Sequence, residues 1–161
     1  MGERADTHGI LVTLLVGGEQ VLFIMLGSDG SINRLGTGSV SNTERDMFIG
    51  QTSPEVFEQL RGKITEELLR WGGQSRSAPE KRGKVCKLTR GFKEAEGQEL
   101  MTGWQYGSES QGPPPEVSDF VVAAVEATTP WYEQQKAMVS RGRRDSGGGQ
   151  GGGKKWWQFW K

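Results

Sequence analysis

Two apolar runs lie close together near the start of the chain, Ile10-Leu11-Val12-Thr13-Leu14-Leu15-Val16 and Val21-Leu22-Phe23-Ile24-Met25-Leu26. Both are rich in β-branched residues, and Gly17-Gly18 with Glu19-Gln20 separates them, which predicts a β-hairpin. Their nearly continuous hydrophobicity places them centrally in a sheet or under cover on both faces. Asp29-Gly30 marks a second turn, after which Ile32 to Leu35 predicts a third strand; Gly36 to Asp46 reads as a loop and Met47-Phe48-Ile49 as a brief strand.

The period then changes. Ser53-Pro54-Glu55 is a helix start, with a capping hydroxyl, a proline where no donor is needed and an acid favourable to the dipole. Phe57, Leu60, Ile64, Leu68 and Trp71 follow at helical spacing, and Gly72-Gly73 predicts the end of that helix. Gln74 to Gly83 reads as a polar loop. Val85–Phe92 and Glu99–Tyr106 predict a second hairpin about Glu94-Ala95-Glu96-Gly97, with Leu100, Thr102, Trp104 and Tyr106 sharing one face. A second helix is expected from Pro113-Pro114-Pro115, its apolar face formed by Val117, Phe120, Val121, Ala124, Val125 and Thr128. Pro130 ends or kinks it, with Trp131 to Val139 continuing as helix.

This order predicts an α+β fold: a two-layer ββαββα unit with an antiparallel sheet of four to five strands, two helices on one face and a flexible C-terminal tail. Each helix opens on Pro-Glu-Val, at Pro54 and Pro115, which with the matching element order suggests a pseudo-repeat of residues 9–72 and 84–140. The expected domain organisation is a disordered N-terminus over residues 1–8, one domain over 9–140, a basic and glycine-rich linker over 141–153, and a terminal motif over 154–161.

Composition changes the picture at the C-terminus. Three of the six tryptophans lie in the last six residues, where Lys154, Lys155, Trp156, Trp157, Gln158, Phe159, Trp160 and Lys161 form an octamer. Wound as a helix at about 100° per residue, it puts Phe159, Trp156, Trp160 and Trp157 on one arc, with Lys155, Gln158, Lys154 and Lys161 on the other. Gly147-Gly148-Gly149-Gln150-Gly151-Gly152-Gly153 precedes it, a tether with a root-mean-square reach of roughly 15 Å. The formal net charge is zero, yet from Lys136 onward there are seven Lys or Arg against one Asp, which leaves thirteen basic and nineteen acidic residues in 1–135. A tail of about +6 on a body of about −6 suits an anionic surface or a fold back onto the body.

The terminal octamer resembles short Trp- and Lys-rich cationic membrane-active peptides, and the likeness is one of composition over those eight residues. Its implication is reversible docking on an anionic membrane, with Arg141, Arg143 and Arg144 as a secondary basic patch. Aromatic anchors with a basic rim also suit a short linear motif that docks into a protein partner. A flexible linker ending in a short motif resembles the layout of bacterial single-stranded DNA-binding proteins, but their tips are acidic and this one is basic. The acidic body argues against nucleic acid as the main partner.

The body offers little expected chemistry. The single histidine, His8, has no second His or Cys at ligand spacing, so no structural metal and no cofactor are expected. Cys86 falls in a predicted strand and reads as a small core residue. The serines have no nucleophile-elbow pattern, the glycine-rich turns lack a phosphate-loop lysine, and the paired acids read as solvated surface. The chain is therefore expected to bind rather than catalyse. Trp104 and Tyr106, with Pro113 and Pro114, are a candidate body interface, presented by the Tyr106–Pro115 segment as a small inhibitor or regulator would present one. One cysteine, no signal-peptide pattern at Met1-Gly2-Glu3-Arg4, and an apolar run broken by Gly17-Gly18-Glu19-Gln20 lead to an expected cytoplasmic location, with peripheral association at a membrane.

Overall fold

The computed structural model describes residues 7–39, 43–69, 75–78, 81–94, 99–109 and 112–146. The terminal octamer, the glycine run 147–153, Trp71 with Gly72-Gly73, and the Ala95-Glu96-Gly97 tip of the second hairpin lie outside them. Strands β1 (Thr7–Val16) and β2 (Glu19–Gly27) form the first hairpin. Gly17 and Gly18 take φ of 60° and 86°, the left-handed values that a two-residue turn of matching twist requires. The pairing shifts between Leu14↔Leu22 and Leu15↔Gln20, leaving Val21 as a bulge residue that packs with Val16 and Cys86.

Strands β3 (Ser31–Leu35) and β4 (Phe48–Gln51) extend the sheet on one side. On the other side β1 pairs with β6 (Val85–Glu94), which pairs with β7 (Glu99–Gly107). A three-residue strand β5 (Ser75–Ser77) lies parallel to β7 and closes the order β4-β3-β2-β1-β6-β7-β5. The architecture is α+β as expected, but the sheet has seven strands rather than four or five and is mixed rather than wholly antiparallel. Ser75-Arg76-Ser77 has no hydrophobic alternation to announce a strand. It becomes one because the outer backbone groups of β7 require partners.

The helical layer also departs from the two expected helices. Helix α1 (Pro54–Arg61) is capped by Ser53, whose hydroxyl accepts from the Glu55 N–H at 3.2 Å. It stops at Gly62, and a separate turn of helix, α2 (Glu66–Leu69), begins where Thr65 Oγ1 accepts from the Leu68 N–H at 3.2 Å. Glycine lowers helix propensity and threonine competes for the backbone, so one apolar stripe is delivered by two segments. Phe57, Leu60, Ile64 and Leu68 are all buried, as the periodicity requires.

Helix α3 (Pro115–Ser146) does not end at Pro130 but continues over Trp131 to Val139, one of the two expected outcomes, and it includes Arg141 to Ser146, which composition assigns to the linker. The helices pack on the face of the sheet that carries Ile10, Val12, Leu22, Ile24, Leu26, Ile32, Leu88, Phe92 and Trp104. Phe120 of α3 meets Phe92 edge to face, with ring centroids 5.6 Å apart. A smaller cluster, Leu11, Phe23 and Leu35 with Met25 and Met47, lies on the opposite face. The two halves are unequal: four strands and two short helices precede residue 72, whereas β6, β7 and one long helix follow residue 84. No helix among the described residues is long and apolar enough to cross a membrane.

Gly30 takes φ 91°, and a Cβ there would meet the Thr52 carbonyl oxygen; Gly18 takes φ 86° with open space around it. Both Gly→Ala changes force an alanine into left-handed backbone at about 1 kcal/mol, and only Gly30→Ala adds a backbone clash of about 2 kcal/mol more. Urea unfolding of G30A and G18A is expected to show that difference.

Candidate functional site

Two concave features lie at the β5–β7 end of the sheet. Register pairs Leu88 with Trp104 and Cys86 with Tyr106 across β6 and β7, so these side chains share the helix face. The chain then leaves β7 and returns through Pro113 and Pro114 to open α3. A cleft of about 230 Å³ results, lined by Trp104, Tyr106, Pro113, Pro114, Gly112, Gln105 and the Arg76-Ser77-Ala78 edge. The four residues that the sequence singles out as a body interface thus line one cleft. They are not presented as a protruding loop, because Trp104 is only 6% exposed and Tyr106 is half-buried. Burial, with the Cys86 thiol beside it, raises the Tyr106 pKa to about 12.

A second cleft of about 300 Å³ adjoins the first and shares Arg76, Ser77, Trp104 and Gln105 with it. Lys87, Leu88, Thr89 and Gly103 complete its lining. Arg76 and Ser77 escaped notice because nothing local in Gln74 to Gly83 signals that its backbone joins a sheet, and Lys87, within a predicted strand, sits on the face opposite Leu88 and Trp104.

Two buried arginines were also missed. Arg90 is 0% exposed and alternates with Leu88 and Phe92 on the core face of β6, a position that strict two-residue spacing could have revealed. Its Nη2 donates to Thr102 Oγ1 at 3.2 Å, its guanidinium lies 4.5 Å from the Phe92 ring centroid, and Nε and Nη1 have no hydrogen-bond partner. Desolvation lowers its pKa to about 10.

Arg34 of β3 is 1% exposed and far better satisfied. Its Nε donates to the Gly36 carbonyl at 3.1 Å, while Nη1 reaches Thr128 Oγ1 at 2.9 Å, Thr129 Oγ1 at 3.2 Å and the Val125 carbonyl at 3.4 Å. Its guanidinium stacks 4.4 Å from the centre of the Tyr132 ring. The Tyr132 hydroxyl accepts from the Gly36 N–H at 2.8 Å and donates to Glu44 Oε1 at 2.6 Å, and Lys136 Nζ holds Glu44 Oε2 at 2.9 Å. Burial and the Glu44 hydrogen bond raise the Tyr132 pKa to about 12. Desolvation would raise that of Glu44, but the bonds from Tyr132 and Lys136 outweigh it and hold the carboxyl below its usual range.

The remaining sequence candidates are placed as follows. His8 lies in β1, exposed, with Nδ1 3.3 Å from Ser28 Oγ. Cys86 is 3% exposed, and desolvation raises its thiol pKa, the opposite of activation. Among the described residues, no group of three His, Cys, Asp or Glu could hold a metal ion. Arg141, Arg143 and Arg144 fall within the last turns of α3. Lys154, Lys155, Trp156, Trp157, Phe159, Trp160 and Lys161 lie outside the described residues.

The two tyrosines are the only ones in the chain, and both are held near pKa 12. Near-ultraviolet tyrosinate absorbance of the folded protein is therefore expected to show no step near pH 10, where the denatured chain titrates. Between about pH 10 and 12 each folded tyrosine retains a proton that the unfolded chain has lost, so their contribution to stability falls as pH rises. Arg90 and Arg34, both lowered by desolvation, act in the opposite sense, so Tyr106→Phe and Tyr132→Phe are expected to remove the falling component. In urea, Arg90→Met is expected to be neutral or stabilising by about 1 kcal/mol, because it removes an incompletely paired buried charge. Arg34→Met, which strips a satisfied network, is expected to lose about 2 kcal/mol.

Comparison of the chain with protein-family models, with curated proteins and with solved structures returns no match, so its function is argued from its own residues.

Proposed function

We propose that this chain is a non-catalytic binding or adaptor protein that docks reversibly on an anionic membrane surface through its C-terminal Trp/Lys peptide, while its folded body offers a second interface. The observation that carries this reading is the terminal octamer, whose four aromatic residues and three lysines would fall on opposite arcs of a helix and follow a glycine-rich stretch. The long helix supports it. Ala137 to Ser140 are exposed, with Met138 at 59%, and the helical backbone continues to Ser146. The stretch beyond Lys136 spans roughly 15 Å at about 1.5 Å per residue, so helix and tether in series extend the reach of the peptide.

The energetics favour a weak, switchable contact. Burying about half of four aromatic side chains contributes roughly 10 kcal/mol at ~25 cal/mol/Å². Ordering eight residues costs a similar amount, at ~1–2 kcal/mol each. The balance is then set by charge, at about 1 kcal/mol for each lysine near an anionic leaflet. Arg141, Arg143 and Arg144 add to the positive end, as does the contrast with the acidic body. We take the cleft lined by Trp104, Tyr106, Pro113 and Pro114 as the second interface, its concavity supporting the regulator reading of the body.

Vesicle co-sedimentation of the full chain and a form ending at Gly153 tests the tail. The full chain is expected to pellet with anionic but not neutral vesicles and to be released at high ionic strength, as screening of exposed charge requires. The shortened form is expected to stay in the supernatant. No sedimentation by either form would overturn the membrane reading and leave the octamer as a motif for a protein partner.

A further inference from the structure

The first hairpin is apolar on both of its faces, and the helices cover one. Ile10, Val12, Leu22 and Ile24 enter the helix-side core, while Leu11, Phe23 and Met25 point the other way and gather with Leu35 and Met47. A sheet with one face in water alternates apolar with polar residues. Here that alternation is missing, and no residue of a described helix joins the second cluster. Strand register aligns Ile49, Asn33, Met25, Leu11, Gly91 and Met101 in one row across this face. Neither the row nor its neighbours Leu35, Phe23 and Thr13 carry a charge, and Ile49 at the β4 edge is 55% exposed.

Two features select an aromatic partner with an N–H donor. Three of the five methionines, Met25, Met47 and Met101, belong to this face, and the Met101 sulfur lies where a Cβ on Gly91 would stand, folded across β6 towards Leu11. Thioethers adapt to irregular partners and make favourable contacts with rings. Asn33 is 4% exposed, and its Oδ1 has no hydrogen-bond partner. Ile32 and Arg34 on either side of it turn to the helix layer, which leaves Asn33 on the far face between Met25 and Ile49. A buried acceptor without a donor is unfavourable, and an indole supplies both a ring and an N–H. Hydrocarbon supplies no donor, so a bilayer is a poor cover for this face.

Reach names the segment. Helix α3 crosses β3 at Thr128 to Tyr132, and Lys136 then holds Glu44, in the loop whose Met47 belongs to the far face. From Tyr132 to Ser146 the helix spans about 21 Å at 1.5 Å per residue. Residues 147–153 extend to about 24 Å at most, which covers the return to the β3–β4 edge. An encounter within one chain also has the advantage of a high effective concentration.

We propose that the sheet face opposite the helices is the docking site for the chain's own C-terminal octamer, with its aromatic rings over Met25, Leu35 and Ile49 and one indole N–H donating to Asn33 Oδ1. Docked there, the octamer withholds its rings from a membrane. That competition rests on the membrane reading; the docking itself does not.

The test compares methionine-methyl NMR spectra of the full chain with those of the variant carrying Trp156→Ser, Trp157→Ser, Phe159→Ser and Trp160→Ser. The Met25, Met47 and Met101 methyl signals are expected to differ between the two, independently of protein concentration, and to return to their full-chain positions when a synthetic octamer is titrated into the variant. An octamer with 1-methyltryptophan in place of each tryptophan keeps the rings, loses the donors and should bind about tenfold more weakly. Ile49→Asp, at an exposed position and checked for folding by circular dichroism, should weaken octamer binding about tenfold and raise sedimentation of the full chain with anionic vesicles. If no form sediments, the membrane reading fails while the methyl signals still decide the docking. Unchanged methyl signals, equal binding of the methylated octamer, or tolerance of Ile49→Asp by the octamer would overturn the proposal. Signals that move with protein concentration would reassign the face to a second copy of the chain.

Discussion

Helix α3 runs through Pro130 beside a turn that side-chain hydrogen bonds tie to the helix and to the sheet. Proline removes one backbone donor and crowds the preceding turn, at about 3 kcal/mol in a helix interior. Here Thr128 Oγ1 donates to the Ala124 carbonyl at 2.8 Å and Thr129 Oγ1 to the Val125 carbonyl at 2.6 Å, while Arg34 reaches in from the sheet. One turn later the Tyr132 hydroxyl and Lys136 tie the helix to the loop after β3 through Gly36 and Glu44. The disrupted turn is thereby fastened to the sheet, and the helix continues to Ser146 instead of ending over the core. Everything proposed for the tail depends on where that helix carries it.

The same network explains why two buried arginines behave differently. Arg34 faces carbonyls, hydroxyls and an aromatic ring, and Glu44 neutralises it at one remove through Tyr132. Its burial specifies the seating of the helix on β3. Arg90 has one hydroxyl partner and two aromatic neighbours, so its positive charge is held largely by ring faces and costs stability. Trp104 connects that buried charge to the surface, since its ring lies 5.8 Å from the Arg90 guanidinium and also lines both clefts.

The two contacts argued for the tail use different physics. A membrane receives a tethered aromatic and basic peptide by area and charge, with little demand on shape. The sheet face opposite the helices receives the same rings through thioether contacts and one hydrogen bond. Each contact alone is modest, and linkage raises the strength of the one within the chain without new contacts.

The sequence by itself determined the elements whose cause is local. Gly17-Gly18 required a tight hairpin, Ser53-Pro54-Glu55 began a helix, and the spacing of Phe57, Leu60, Ile64 and Leu68 identified a buried stripe even though Gly62 divided the helix that carries it. The composition of the last fifteen residues likewise stated its own chemistry, a tether followed by aromatics and lysines. Tertiary structure decided what depends on residues far apart in the chain. Ser75 to Ser77 became a strand because β7 had an edge to offer, Arg76 was thereby placed beside Trp104, and the turn before Pro130 was tied to the sheet through Arg34, Thr128 and Thr129. Local patterns record what a segment does with its own backbone and one apolar face; only the assembled fold determines whose unpaired groups it must satisfy.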